Sequence, residues 1–180
     1  MSHNGFAELV DSAITQGMKH DIEVVLASNC LAATVVLILC GMDAMAYLSM
    51  APEKTTASRA DFISWAEHYI RFPCEEQLTG CDLYGARCAM VHVYGAESDL
   101  SREGKCRLVG YMDKSIPEVR YNPRLRADFV LVSVPALKEA FFRGVDAFLG
   151  ATLQDEAKTR IVCSRLRNLV RRFPVPSHLL

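Results

Sequence analysis

Apolar residues recur at helical spacing along most of this chain. Phe6, Leu9, Val10, Ala13, Ile14 and Met18 share a face of residues 5–18, which predicts a short amphipathic helix. Gly17 and the polar run Lys19-His20-Asp21 predict a turn after it. Residues 21–51 then read as one long helix. Asp21 suits its N-cap and Glu23 its first turn. Apolar side chains cover most of its circumference, as a widely buried central helix requires. Gly41 marks a place for close helix approach, and Pro52 ends the element. The uncharged run within it, Cys30 to Met42, is thirteen residues long. A membrane span needs about twenty, and Asp43 interrupts, so no stable membrane insertion is expected.

Ser58 and Asp61 have the spacing of a capping box, with FISWAEHYIRF behind them and Pro73 to stop the helix. Phe62, Trp65, Ala66 and Tyr69 share its inner face. Residues 75–94 predict a further helix, with Gly95 as its C′ residue. The period then changes. KCRLVGYM (105–112) and the β-branched DFVLVSV (128–134) read as strands, expected to pair as an antiparallel hairpin across a long connection. Pro135 opens a helix that runs to about residue 153 on the stripe Leu137, Phe141, Val145 and Phe148. A last helix, 154–173, starts acidic and ends basic, in line with its dipole; Pro174 and Pro176 leave a flexible tail, 174–180. The expected fold is all-α: one domain over 1–180, an up-and-down bundle of five to six helices with a small β-hairpin inserted at about 104–134.

Composition narrows the picture only a little. The chain of 180 residues carries 20 basic and 21 acidic side chains, a net charge of −1, so global charge selects no partner and a nucleic-acid contact needs a local basic patch. No basic segment followed by an apolar one opens the sequence, so no secretory signal is expected. The seven cysteines are odd in number, irregularly spaced and contain no C-x-x-C pair. Reduced, mostly buried thiols in a cytoplasmic protein are expected, and no cofactor or metal.

The segment RCAMVH places Arg87 five positions before His92. Five residues turn an ideal helix so that the two side chains stand about 140° apart. They are not expected to touch within one helix; a helix end near His92, or a second subunit, is needed to bring them to one groove. Chemically the pair suits RNA cleavage. A histidine near neutral pKa removes the 2′-hydroxyl proton or protonates the leaving 5′-oxygen, and an arginine holds the phosphate and stabilises its added charge. Asp43, after the apolar run, is expected to face inward with Arg87 as partner. It either orients Arg87 or His92, or is half of a core ion pair that fixes helix register. Backbone carbonyls, Asp43 or Glu76 would equally satisfy Arg87 and His92 as a purely structural polar pair.

An R-x4-H motif near the end of a helix in a small α-bundle resembles the HEPN superfamily. The LILCGMDAMAYLS helix ahead of LYGARCAMVH is similar to its bacterial members, and the resemblance covers roughly residues 21–95. It implies a helical bundle that forms a homodimer, so that two motifs meet in one cleft. In many members that cleft is a metal-independent endoribonuclease of toxin or defence type; others are non-catalytic modules that bind a protein or RNA partner. The residue after the arginine is often polar in active members, and here it is Cys88.

Two basic clusters are candidates for an RNA contact. Arg160, Arg167 and Arg171 fall near one face of the predicted last helix, where Lys158, Arg165 and Arg172 add charge. Arg120, Arg124 and Arg126 flank Tyr121 in a loop, an arrangement able to stack a base. His68 reads as a surface residue. Trp65 with Met42, Met45 and Met50 reads as core or as the wall of an apolar pocket.

Overall fold

The computed structural model describes residues 3–113 and 118–169. The architecture is mostly helical with a three-stranded sheet. Its elements are α1 (His3–Val10), a π-helical stretch (Asp11–Lys19), α2 (His20–Ala27), α3 (Leu31–Ser49), α4 (Arg59–Tyr69), α5 (Gly80–Val93), α6 (Asp99–Arg102), β1 (Leu108–Met112), β2 (Val119–Tyr121), β3 (Phe129–Ser133), α7 (Val134–Leu153) and α8 (Glu156–Leu166).

The first break in the chain lies eight residues beyond Asp21, at Asn29, and Gly17 makes no turn. Val10, Lys19 and His20 all keep right-handed helical dihedrals, so α1, the π-helical stretch and α2 run on as one rod. Asp21 is therefore an interior residue of that rod. Asn29 takes a left-handed conformation at φ 57°. Its N–H donates to Leu26 O and that of Cys30 to Val25 O, the paired bonds of a Schellman cap. Asparagine tolerates this region better than other side-chain-bearing residues, because its short amide competes for local hydrogen bonds.

α3 is the central element. Ile38, Leu39, Met42, Met45 and Ala46 are wholly buried, and it packs on α4, α5, α7 and α8. It is long and apolar enough to cross a membrane by length and composition, and about half of that apolar window is buried. Gly41 permits the close approach expected of it: a Cβ there would lie 2.6 Å from Cζ of Phe141 on α7. Met42, Met45, Met50 and Trp65 are core residues, with Trp65 against Tyr69 and Phe141.

The capping box of α4 forms as its sequence predicts. Ser58 accepts from the Asp61 N–H and Asp61 accepts from the Ser58 N–H. The helix ends at Tyr69, before Pro73. α5 starts at Gly80, five residues later than expected, on a second box of Thr79 and Asp82. The intervening residues stay irregular because the Gln77 amide bonds the backbone of Phe72 and Cys74 in place of helical partners.

The strands are not a hairpin. β1 pairs with β3 in parallel, and β2 adds antiparallel on the other side of β3, giving the order β1-β3-β2. The third strand, VRY, is too short and too polar to declare itself by alternation. Val109, Val119, Val130 and Val132 form the buried face of this sheet. β3 passes directly into α7, whose N-cap is Ser133 with Pro135 in the first turn. α8 begins on Asp155, which accepts from the N–H groups of Ala157 and Lys158, and ends at Leu166, seven residues short of the expected end.

Candidate functional site

Arg87 and His92 both stand on α5, and Asp43 on the neighbouring α3. The Arg87 Nε donates to Asp43 Oδ2 at 2.8 Å, and its Nη1 lies 2.6 Å from His92 Nε2. The expectation that Arg87 and His92 would not meet within one helix is thus overturned. Side chains on a helix lean toward its N-terminus, so His92 tips back over the turn that carries Arg87, and the long arginine spans the remaining angle. The helix also stops just past His92. Its left-handed terminal position falls on Tyr94 (φ 51°, ψ 37°), not on Gly95, and the Gly95 N–H reaches back to Ala89 O.

Arginine offers donors only, so its bond to His92 requires a lone pair on Nε2 and places the proton of the neutral ring on Nδ1. With Nε committed to Asp43 and Nη1 to His92, Nη2 is the guanidinium nitrogen committed to neither. Burial disfavours the Arg87 charge, but the Asp43 hydrogen bond and charge prevail and raise its pKa above the ordinary arginine value. Asp43 does not face inward as expected. Its side chain is 35% exposed and that of Arg87 21%, so this is a pair on a rim and not a core ion pair. Of the two orienting roles open to Asp43, its contact is with Arg87. Glu76 is exposed and takes no part.

Two thiols flank the set. Cys40 is exposed on α3, and burial of its surroundings, followed by the Asp43 charge, pushes its pKa up despite the opposing effect of Arg87. Cys88 is half-buried beside Arg87 and Tyr84. None of the seven cysteines is in a disulfide; Cys163 alone is fully buried, whereas Cys30 and Cys40 are exposed, which corrects the expectation of mostly buried thiols. His92 borders a groove of about 440 Å³ that also presents Arg59, Tyr84, Cys88, Glu97 and Arg102. Val93 and Tyr94 beside it are 69% and 66% exposed.

The arginine face expected on the last helix lies only in part among the described residues. Arg160 is exposed on α8, Arg167 is the exposed C-cap residue beyond its end, and Arg171 lies outside the described residues. Arg165, grouped with the surface charge in the sequence, is only 7% exposed and donates to Leu48 O, Met50 O and Ala51 O at the end of α3. It satisfies carbonyls that a helix C-terminus leaves without partners. The loop cluster is also occupied. Tyr121 is covered by Arg107 at 4.6 Å, Arg126 pairs with Asp128, and Arg120 pairs with Glu118, so Tyr121 is not a free stacking ring. His68 is exposed, against Tyr69, as expected.

Sequence reasoning missed Asp82. It is 2% exposed and accepts from the Arg107 N–H at 2.8 Å, Nε at 3.1 Å and Nη2 at 2.6 Å, besides its capping bond from Thr79. It ties the start of α5 to the sheet. Burial opposes its charge, yet the Arg107 and Thr79 bonds outweigh this and hold its pKa below the ordinary carboxylate value. The Thr79-x-x-Asp82 spacing was the available signal. Among the described residues no group of three or more His, Cys, Asp or Glu is gathered as a metal-ligand set.

Comparison with protein-family models, with curated proteins and with solved structures returned no match.

Proposed function

We propose that this chain is a HEPN-like endoribonuclease, acting as a homodimer in the cytoplasm. The observation that carries the reading is the hydrogen-bonded set Asp43–Arg87–His92, open to solvent where α5 ends. In the reaction a ribose 2′-oxygen attacks the adjacent phosphorus and the bond to the 5′-oxygen breaks. His92 takes the 2′-hydroxyl proton or supplies one to the leaving oxygen. Arg87 holds the phosphate and stabilises its added charge, and Asp43 positions the guanidinium. His92 is then the acid/base group, Arg87 the phosphate clamp, and Asp43 a positioning residue.

One imidazole per copy supplies one proton-transfer group, and two copies related by a two-fold axis supply both a base and an acid. The exposed Val93 and Tyr94 beside His92 give such a partner apolar area to cover. Arg160 and Arg167 assist as contacts to the RNA backbone. On this reading the helices form the bundle of the HEPN type and the sheet is its insertion.

The test is cleavage of single-stranded RNA by purified protein in EDTA. His92→Ala is expected to abolish cleavage while circular dichroism stays that of the wild type. Undiminished cleavage by the variant removes His92 from the mechanism. Two observations favour a second reading: Arg87 already has two protein partners, as in a satisfied structural pair, and Cys88 stands where active members often carry a polar residue. That reading is a non-catalytic module binding a protein or RNA partner, and it is supported if the wild type binds RNA or a protein partner and cuts nothing.

A further inference from the structure

The groove bordered by His92 continues across α5 toward the start of α4. Arg59, the first residue of α4, sets its guanidinium over the Tyr84 ring, 5.4 Å from the centroid. Tyr84 is backed by Phe62, which meets it edge-on at 5.4 Å and is itself buried, so the ring is held from below. Arg59 is exposed and forms no ion pair with any carboxylate among the described residues. Its charge is therefore not paired, while its guanidinium is seated over a supported ring. Arg102, by contrast, is bonded to Asp99 within α6.

We propose that this groove is a subsite for the unpaired nucleotide next to the scissile phosphate, with its base stacked on the Arg59 guanidinium. This rests on the RNA-cleavage reading of the Asp43–Arg87–His92 set. Guanidinium planes stack splayed-out bases, and a cation–π support beneath them adds to the attraction. The volume of about 440 Å³ is that of a small-molecule site and not of a duplex channel. Asp99 is paired with Arg102, so Glu97 is the carboxylate that disfavours a further phosphate there, and the groove takes a base and its sugar while the backbone stays at Arg87 and His92. The substrate is accordingly single-stranded RNA, because a paired base is not free to enter.

The test uses the His92→Ala protein, which holds RNA without cutting it, and a fluorescein-labelled single-stranded RNA of mixed sequence. Adding Arg59→Ala is expected to weaken Kd about tenfold, the size of one lost base stack. Arg59→Lys, which keeps the charge but not the plane, is expected to lose most of the same factor. In the cleaving background the loss appears as a KM raised about tenfold. Arg59 is an exposed first-turn residue outside the Ser58–Asp61 box, so neither substitution threatens the fold. Wild-type affinity in both variants, full retention by lysine, or no binding of the RNA at all overturns the subsite. A wild type that does not cleave, alongside Arg59-dependent binding, removes the cleavage reading and leaves the subsite standing.

Discussion

At the residue scale the site depends on one guanidinium doing two things at once. Arg87 reaches Asp43 through Nε and His92 through Nη1, which needs the rigid fork of arginine. On the proposed cleavage reading, Arg87→Lys is therefore expected to reduce RNA cleavage nearly as far as Arg87→Ala, on the order of a hundredfold, measured as initial rate at saturating RNA. Retention of wild-type rate by lysine shows that charge alone suffices. Asp82 is the corresponding structural residue. Asp82→Ala leaves Arg107 partly buried with its carboxylate gone and is expected to cost about 3–5 kcal/mol in urea unfolding. A loss under about 1 kcal/mol would mean that water replaces the pair. The partnership of Asp43 with Arg87 was named from the sequence on the expectation of a buried carboxylate, and it forms although Asp43 stands at the rim. The Arg87–His92 contact was not, since helical angle predicts its absence and only side-chain lean and length supply it.

At the element scale, capping chemistry decided which boundaries could be read. Ser58-x-x-Asp61 announces α4 because both reciprocal bonds are local. The break at Asn29 was passed over because the apolar run resumes directly after it; Ser28 and Asn29, weak helix formers, were the signal, and a left-handed asparagine ends the helix there. The pairing of 105–112 with 128–134 was legible from their β-branched pattern, but its parallel sense was not, because it follows from β2, a three-residue strand that takes the antiparallel side of β3. Tyr94 is the other left-handed residue, and a bulky side chain there costs about 1–2 kcal/mol. Its ring is 66% exposed, so little packing offsets that cost. Tyr94→Gly is expected to raise stability by about 1 kcal/mol in chemical denaturation. A destabilised variant would show that the ring packs better than its exposure indicates. Gly41→Val, by contrast, drives two methyl groups into Phe141 and is expected to cost about 1–3 kcal/mol or more.

At the scale of the whole molecule, charge contributes to stability through depressed carboxylates. The Lys54 ammonium, with the Ser58 hydroxyl, holds the Asp61 carboxyl down to about 2, and Asp82 is also held below its ordinary value. A carboxylate whose folded pKa is depressed stabilises the protein above its unfolded value, near 3.9. That contribution is lost as the pH falls from there toward about 2. The midpoint of thermal unfolding is expected to hold steady above about pH 5 and to fall below about pH 4, with a shallower fall in Asp82→Asn. An equal slope in the variant shows that other groups set the acid limb.

The strand order β1-β3-β2 also sets a schedule. Neither β1 nor β2 touches the other; each pairs only with β3, which leaves the ribosome last of the three. Until residue 133 is made, the two earlier strands have no ladder to join. Asp43, Arg87 and His92 are all made before the first strand begins, on helices that need no sheet to supply their side chains. During synthesis the nascent chain therefore holds its complete set of candidate chemical groups well before the sheet that later braces them can close.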